Sequence, residues 1–196
     1  MIPTAILRKV LCQPLLCLGS LAALGPLGMT ALWANPAAAA VIDEVGLLAG
    51  DSKHANMTAL VLTQNTDWAW FSSPSGRLQV YWQTDIAQWR GKGLGGRDIR
   101  GVGLAPVFRY TWSMQGPIRP YLEGAIGVHY FSGVRLSNAK RMGTRFEFGD
   151  HLGFGFAIGK KPGIDLAFRL QHFSNAGISD YNQGVDFQQI QLRVSF

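Results

Sequence analysis

The sequence predicts an all-β fold, an eight-stranded antiparallel up-and-down β-barrel that crosses a membrane. Three observations carry that reading. Apolar residues alternate with small or polar ones at period two through most of the chain after Val41. The segments so marked are joined by short turns and longer loops in alternation. The second face carries Gly, Ala, Gln and single charges such as Arg109, Glu123, Asp165 and Arg169. That face is too poor in charge for the wet side of a soluble sandwich, but it suits a cramped lumen in which opposite charges pair.

Residues 1–40 read as a signal peptide and residues 41–196 as the barrel. Arg8 and Lys9 form a basic start, an apolar stretch runs from Val10 to about Trp33, and Ala38-Ala39-Ala40 offers a small-residue cleavage site. Pro14, Pro26 and three glycines would make a poor spanning helix in its place. Both cysteines, Cys12 and Cys17, lie in this segment. Cleavage therefore leaves none for a disulfide or a thiolate metal site.

Strands are expected at about 42–50, 57–71, 77–89, 98–112, 118–131, 144–159, 164–174 and 186–196. In the fourth, Val102, Leu104, Phe108, Tyr110 and Trp112 alternate with smaller or more polar residues, and the rhythm is looser in 78–84 and 121–130. In the sixth, Leu152, Phe154, Phe156 and Ile158 alternate with Gly153, Gly155 and Ala157. The seventh sets Ile164, Leu166, Phe168 and Leu170 against Asp165, Ala167, Arg169 and Gln171. The eighth is clearest, with Ile190, Leu192, Val194 and Phe196 against Gln189, Gln191, Arg193 and Ser195. Turns at 72–76, 113–117 and 160–163 alternate with longer loops at 90–97, 132–143 and 175–185, the pattern of short periplasmic turns and long outer loops. No apolar run of helix-spanning length follows Val41. A barrel this small is filled by side chains and is not a diffusion pore.

The implied address is the bacterial outer membrane, with outer-membrane lipid as the surroundings. The terminal Phe196, behind alternating apolar residues, resembles the signal that such barrels present to the barrel assembly machinery. Sixteen Lys and Arg remain after Arg8 and Lys9 are removed, against twelve Asp and Glu. That excess is too weak and dispersed to point to nucleic acid. Monomer and homodimer are both compatible with the sequence.

Chemistry concentrates near the end. His172 and Ser174 are two residues apart, and Asp186 follows fourteen residues after the histidine. Nucleophilic hydrolysis needs a hydroxyl, an imidazole to take its proton and a carboxylate to orient that imidazole. On the seventh and eighth strands the even positions are apolar, so all three share the lipid-facing row. A hairpin folded near Ser179 places His172 opposite Asp186, with Ser174 about 6.6 Å further along. The trio falls at the cell-surface end, where charge on the lipid face costs only about 0–1 kcal/mol. Backbone N–H groups just after the nucleophile, at Asn175 and Gly177, are the best oxyanion donors.

The stretch 172-HFSNAGI-178 resembles the His-aromatic-Ser-Asn-Ala-Gly segment of lipid A 3-O-deacylases of the PagL type. The resemblance implies that His172 is the base and Ser174 the nucleophile. Asp186 stands where that family has a Glu one methylene longer. It further implies an oxyanion region at Asn175 and Gly177 and a supporting loop residue at Asn182. The implied reaction is hydrolysis of the 3-O-linked hydroxyacyl chain of lipid A, the substrate within lipopolysaccharide, with no cofactor and no metal. The alternatives are a non-enzymatic barrel (an adhesin or envelope-stabilising protein) and an outer-membrane phospholipase.

Other features read more plainly. The glycine-rich run from Gly91 to Gly96 neither follows a buried strand nor opens a helix, so it reads as a surface loop rather than a phosphate loop. His129 and His151 share no ligand spacing and read as solitary polar residues of a barrel. Trp68, Trp70, Trp82, Trp89 and Trp112 are expected in interfacial girdles. Asp150 has the apolar parity of its strand, which a bulge, a headgroup-level charge or a part in substrate binding would each explain.

Overall fold

A computed structural model describes residues 42–196; the signal-peptide assignment lies outside the described residues. Eight strands form a closed barrel in chain order: β1 (Glu44–Asp51), β2 (Ala55–Ser73), β3 (Gly76–Gly91), β4 (Asp98–Trp112), β5 (Ile118–Phe131), β6 (Phe146–Gly159), β7 (Gly163–Ser174) and β8 (Val185–Ser195). Every neighbouring pair is antiparallel, and β1 closes the cylinder against β8. Closure leaves no unpaired sheet edge, which is what hydrocarbon demands of a backbone.

The faces follow the sequence parity. Leu152, Leu170 and Ile190 are 67%, 55% and 60% exposed, whereas Arg169 and Gln191 are at 0%. Apolar side chains point out and polar ones in, the reverse of a water-soluble barrel. The expected pairing of lumen charges is present. Arg109 reaches Glu123 and Asp165, each at 2.7 Å. Arg169 meets Glu123 at 2.6 Å, and Arg193 meets Asp165 at 2.7 Å. The Tyr81 and Tyr121 hydroxyls donate to Glu123 and Asp165. Small inward positions make room for these long side chains. A Cβ on Gly153, for example, would meet Cγ of Arg169 at 2.8 Å.

The end that carries the β3–β4, β5–β6 and β7–β8 loops, expected from the sequence to face the cell exterior, is closed by an apolar plug. The rings of Phe131, Phe187 and Phe173 lie 4.5, 4.7 and 4.8 Å from that of Trp89, and the β5–β6 loop adds Leu136 and Met142. Trp89 therefore departs from the expected girdle: it has inward parity on β3 and is fully buried. Trp68, Trp70 and Trp112 do face outward.

Candidate active site

His172 and Asp186 are direct partners in the β7–β8 register, so their side chains leave the same face of the sheet. Nδ1 of His172 is 2.6 Å from Oδ1 of Asp186. The imidazole is part-exposed and the carboxylate open, on the outer wall at the extracellular end. An aspartate reaches here because the two residues face each other squarely across the ladder.

Ser174 lies two positions further along β7 on the same outward face. The register that pairs His172 with Asp186 and Phe173 with Val185 brings Gly184 across from Ser174 at its next step. A Cβ on Gly184 would stand 2.7 Å from Nε2 of His172, and closer still to Cε1. The imidazole therefore leans along the strand toward Ser174, over the place where a side chain at 184 would sit. Among the described residues the Ser174 hydroxyl has no hydrogen-bond partner, and catalytic hydrogen bonds often tighten only when substrate binds.

The loop after the serine is tightly wired. The Asn175 N–H donates to Oδ1 of Asn182 at 2.9 Å, and the Gly177 N–H donates to Oδ1 of Asn175 at 3.0 Å. Asn175, itself fully buried, donates from Nδ2 to the Tyr181 carbonyl at 3.0 Å. Both N–H groups expected to hold an oxyanion are thus engaged within the loop. Between them Ala176 is exposed, takes φ of 52°, and donates its N–H to nothing among the described residues. A left-handed conformation at a non-glycine residue costs roughly 1–2 kcal/mol. Such strain is characteristic of functional segments.

Two further features adjoin the trio. Asp150 on β6 faces His172 from the flank opposite Asp186. The β6–β7 register runs without a shift from Phe148↔Ser174 to Gly159↔Gly163, so no bulge accounts for the outward carboxylate. Below these residues a groove of about 1170 Å³ lies on the outer wall, bordered by Phe108, Gly124, Ile126, Leu152, Leu170, Asp150, His172 and Asp186. Its floor follows from register. Phe108, Gly124, Leu152 and Leu170 stand on adjacent strands in one row, and Gly124 leaves a dent in the row. The β4–β5 ladder is interrupted beside Pro106, which has no N–H to give. Among the described residues no group of three or more His, Cys, Asp or Glu side chains is placed to hold a metal.

Sequence parity gave the face that His172, Ser174 and Asp186 share, but not the Gly184 slot or the groove. Counting onward from the His172–Asp186 pair would have reached Gly184. The groove needs the registers of four ladders.

A family model described as lipid A 3-O-deacylase (PagL) matches residues 56–195. The lipid A deacylase PagL of Pseudomonas aeruginosa is 34% identical over 161 residues, spanning 81% of this chain and 89% of that one. Its counterpart from Bordetella bronchiseptica is 32% identical over 154 residues, spanning 78% and 83%. The crystal structure of the outer membrane enzyme PagL aligns with a TM-score of 0.70 at 28% identity, covering 78% of this chain and 99% of that one.

Proposed function

The chain belongs to the lipid A 3-O-deacylase (PagL) family, and from that membership we propose that Ser174, His172 and Asp186 carry its hydrolysis. The protein is an outer-membrane β-barrel enzyme that hydrolyses lipid A at the 3-O-acyl position. The family sets aside the non-enzymatic and phospholipase readings.

In the proposed mechanism Asp186 accepts the Nδ1–H of His172, which fixes the tautomer that leaves Nε2 as the base. The Ser174 hydroxyl passes its proton to Nε2 while its oxygen attacks the ester carbonyl carbon of the 3-O-linked chain. The tetrahedral intermediate collapses, the sugar hydroxyl leaves with the proton from His172, and an acyl-serine remains. Water, deprotonated by His172, then attacks the acyl-serine, and His172 returns that proton to the Ser174 oxygen as the acyl bond breaks and the 3-hydroxy fatty acid is released. The oxyanion is held by the loop after Ser174. The Gly177 and Asn175 N–H groups exchange their loop partners for it, with the unpartnered Ala176 N–H as a third donor. Asn182 supports the loop by holding Asn175.

The groove takes the acyl chain, since its Phe108–Gly124–Leu152–Leu170 floor is apolar and meets the site at Leu170, two residues before His172. Asp150 is the acceptor in that groove next to the imidazole, and the hydroxyl of a 3-hydroxyacyl chain is the donor that matches it. We also propose that Phe196, which extends the outward row of β8 and is 60% exposed, is read by the barrel assembly machinery.

The observation that carries the proposal is the 2.6 Å contact between His172 and Asp186 beside Ser174, on lipid-facing wall at the cell-surface end. Mass spectrometry of lipid A from cells expressing Ser174→Ala tests it: the loss of one 3-hydroxyacyl chain seen with the unaltered enzyme should vanish.

A further inference from the structure

The His172 imidazole leans from Asp186 toward Ser174, and two residues outside the trio border its course. Gly184 stands where the register puts the neighbour of Ser174. A Cβ there would lie 2.7 Å from Nε2 of His172 and 2.9 Å from the Phe173 carbonyl. Contacts under about 3 Å are not tolerated by real Cβ atoms, so any side chain at 184 would push the ring off its course.

The second residue comes from a different loop. Lys140 Nζ donates to the Gly184 carbonyl at 2.7 Å, and the residue is only 7% exposed. Lys140 is itself held, because its carbonyl accepts from the N–H groups of Leu136 and Ser137 at 2.9 and 3.0 Å. Leu136 is anchored in the apolar plug, and its carbonyl accepts from the Arg97 N–H at 2.9 Å. Burial pushes the Lys140 ammonium below its ordinary pKa, and the Asp186 carboxylate acts in the other direction. A lysine withdrawn from water to hold one backbone carbonyl beside the His172–Asp186 pair is a costly arrangement for a mere loop tether.

We propose that Gly184 and Lys140 are positioning residues for His172: the glycine provides the slot the imidazole occupies on its way to Ser174, and the lysine fixes that slot to the plugged extracellular end. This rests on the triad reading given above. Neither residue gives or takes a proton in the proposed reaction. Both act through the direction in which Nε2 points.

The test uses the full enzyme in detergent, with heat-modifiable electrophoretic mobility reporting the folded barrel. Gly184→Ala and Lys140→Met are compared with the unaltered enzyme for kcat and KM on lipid A, and for the rate at which a small fluorophosphonate labels Ser174, with Ser174→Ala as the control for turnover and labelling. Displacing the base by the width of a methyl group should lower kcat about 100-fold. Losing the charge-assisted tether should lower it roughly tenfold. KM should stay within about twofold in both, and labelling should slow in parallel. Folded variants whose kcat stays within about twofold, or whose change is confined to KM, would overturn the proposal. Loss of the folded barrel in both would assign the pair to stability and overturn it as well. An active Ser174→Ala would defeat the triad reading itself. A dead Ser174→Ala beside fully active Gly184→Ala and Lys140→Met would defeat this inference alone.

Discussion

Asp150 and His172 face each other across the β6–β7 ladder, on the flank of the imidazole that Asp186 leaves open. A second carboxylate beside the base, in the groove proposed to take the acyl chain, suits the proposed acceptor of the substrate hydroxyl. Asp150→Asn should lower kcat/KM on the 3-hydroxyacyl ester roughly tenfold, the worth of one hydrogen bond to a charged group. Hydrolysis of an ester lacking that hydroxyl should change little. Equal losses on both esters would remove Asp150 from substrate recognition.

Asp186 is judged by its own substitutions. Asp186→Asn keeps the shape but offers Nδ1–H a poorer partner and stabilises the wrong tautomer, so kcat should drop on the order of 10³–10⁴-fold. Asp186→Glu restores the acid implied by the family resemblance and should stay within about tenfold of the unaltered enzyme. Steady-state rates on lipid A decide both.

The groove makes a prediction about chain length. Gly124 faces outward, and an added Cβ would have His151 O at 3.4 Å as its nearest neighbour, so Gly124→Leu should fold normally. The new side chain fills the dent in the floor. Activity should fall more on long acyl esters than on short ones, by about 1–3 kcal/mol in apparent discrimination. A uniform loss across chain lengths would place the acyl chain elsewhere.

Glu123 holds the lumen together. It accepts from Arg109, Arg169 and Tyr81 and is itself fully buried. Glu123→Ala removes the carboxylate that two buried guanidinium groups share, leaving Arg109 with Asp165 and Arg169 with only neutral partners such as Gln83, and should destabilise the barrel by about 3–5 kcal/mol. Urea unfolding in lipid vesicles, followed by loss of heat-modifiable mobility, measures it.

Much of this architecture was legible because a membrane barrel writes its two faces into alternate residues. β4 and β5 span the residues expected from the sequence, and the other strands fall within about two residues of expectation. The same parity placed His172, Ser174 and Asp186 on one row. Residue type misplaced Trp89: a tryptophan near a strand end suggests the interfacial girdle, whereas its odd position on β3 shares the inward row of Gln83 and Ala87. The N–H partners of Asn175 and Gly177 lay beyond reach for a different reason. They depend on how loop side chains such as Asn182 fold back, and no periodicity governs that. The link from Lys140 to Gly184 spans 44 residues between two loops, a distance at which local pattern carries no information.

The most direct test of a lipid-facing triad is to catch the acyl-enzyme. Enzyme mixed rapidly with lipid A, quenched in acid and digested should yield a peptide containing Ser174 that is heavier by one 3-hydroxyacyl group. The adduct should be absent in Ser174→Ala and should scarcely form in His172→Ala. An acyl group found on another residue, or full turnover by Ser174→Ala with no adduct at all, would contradict the account.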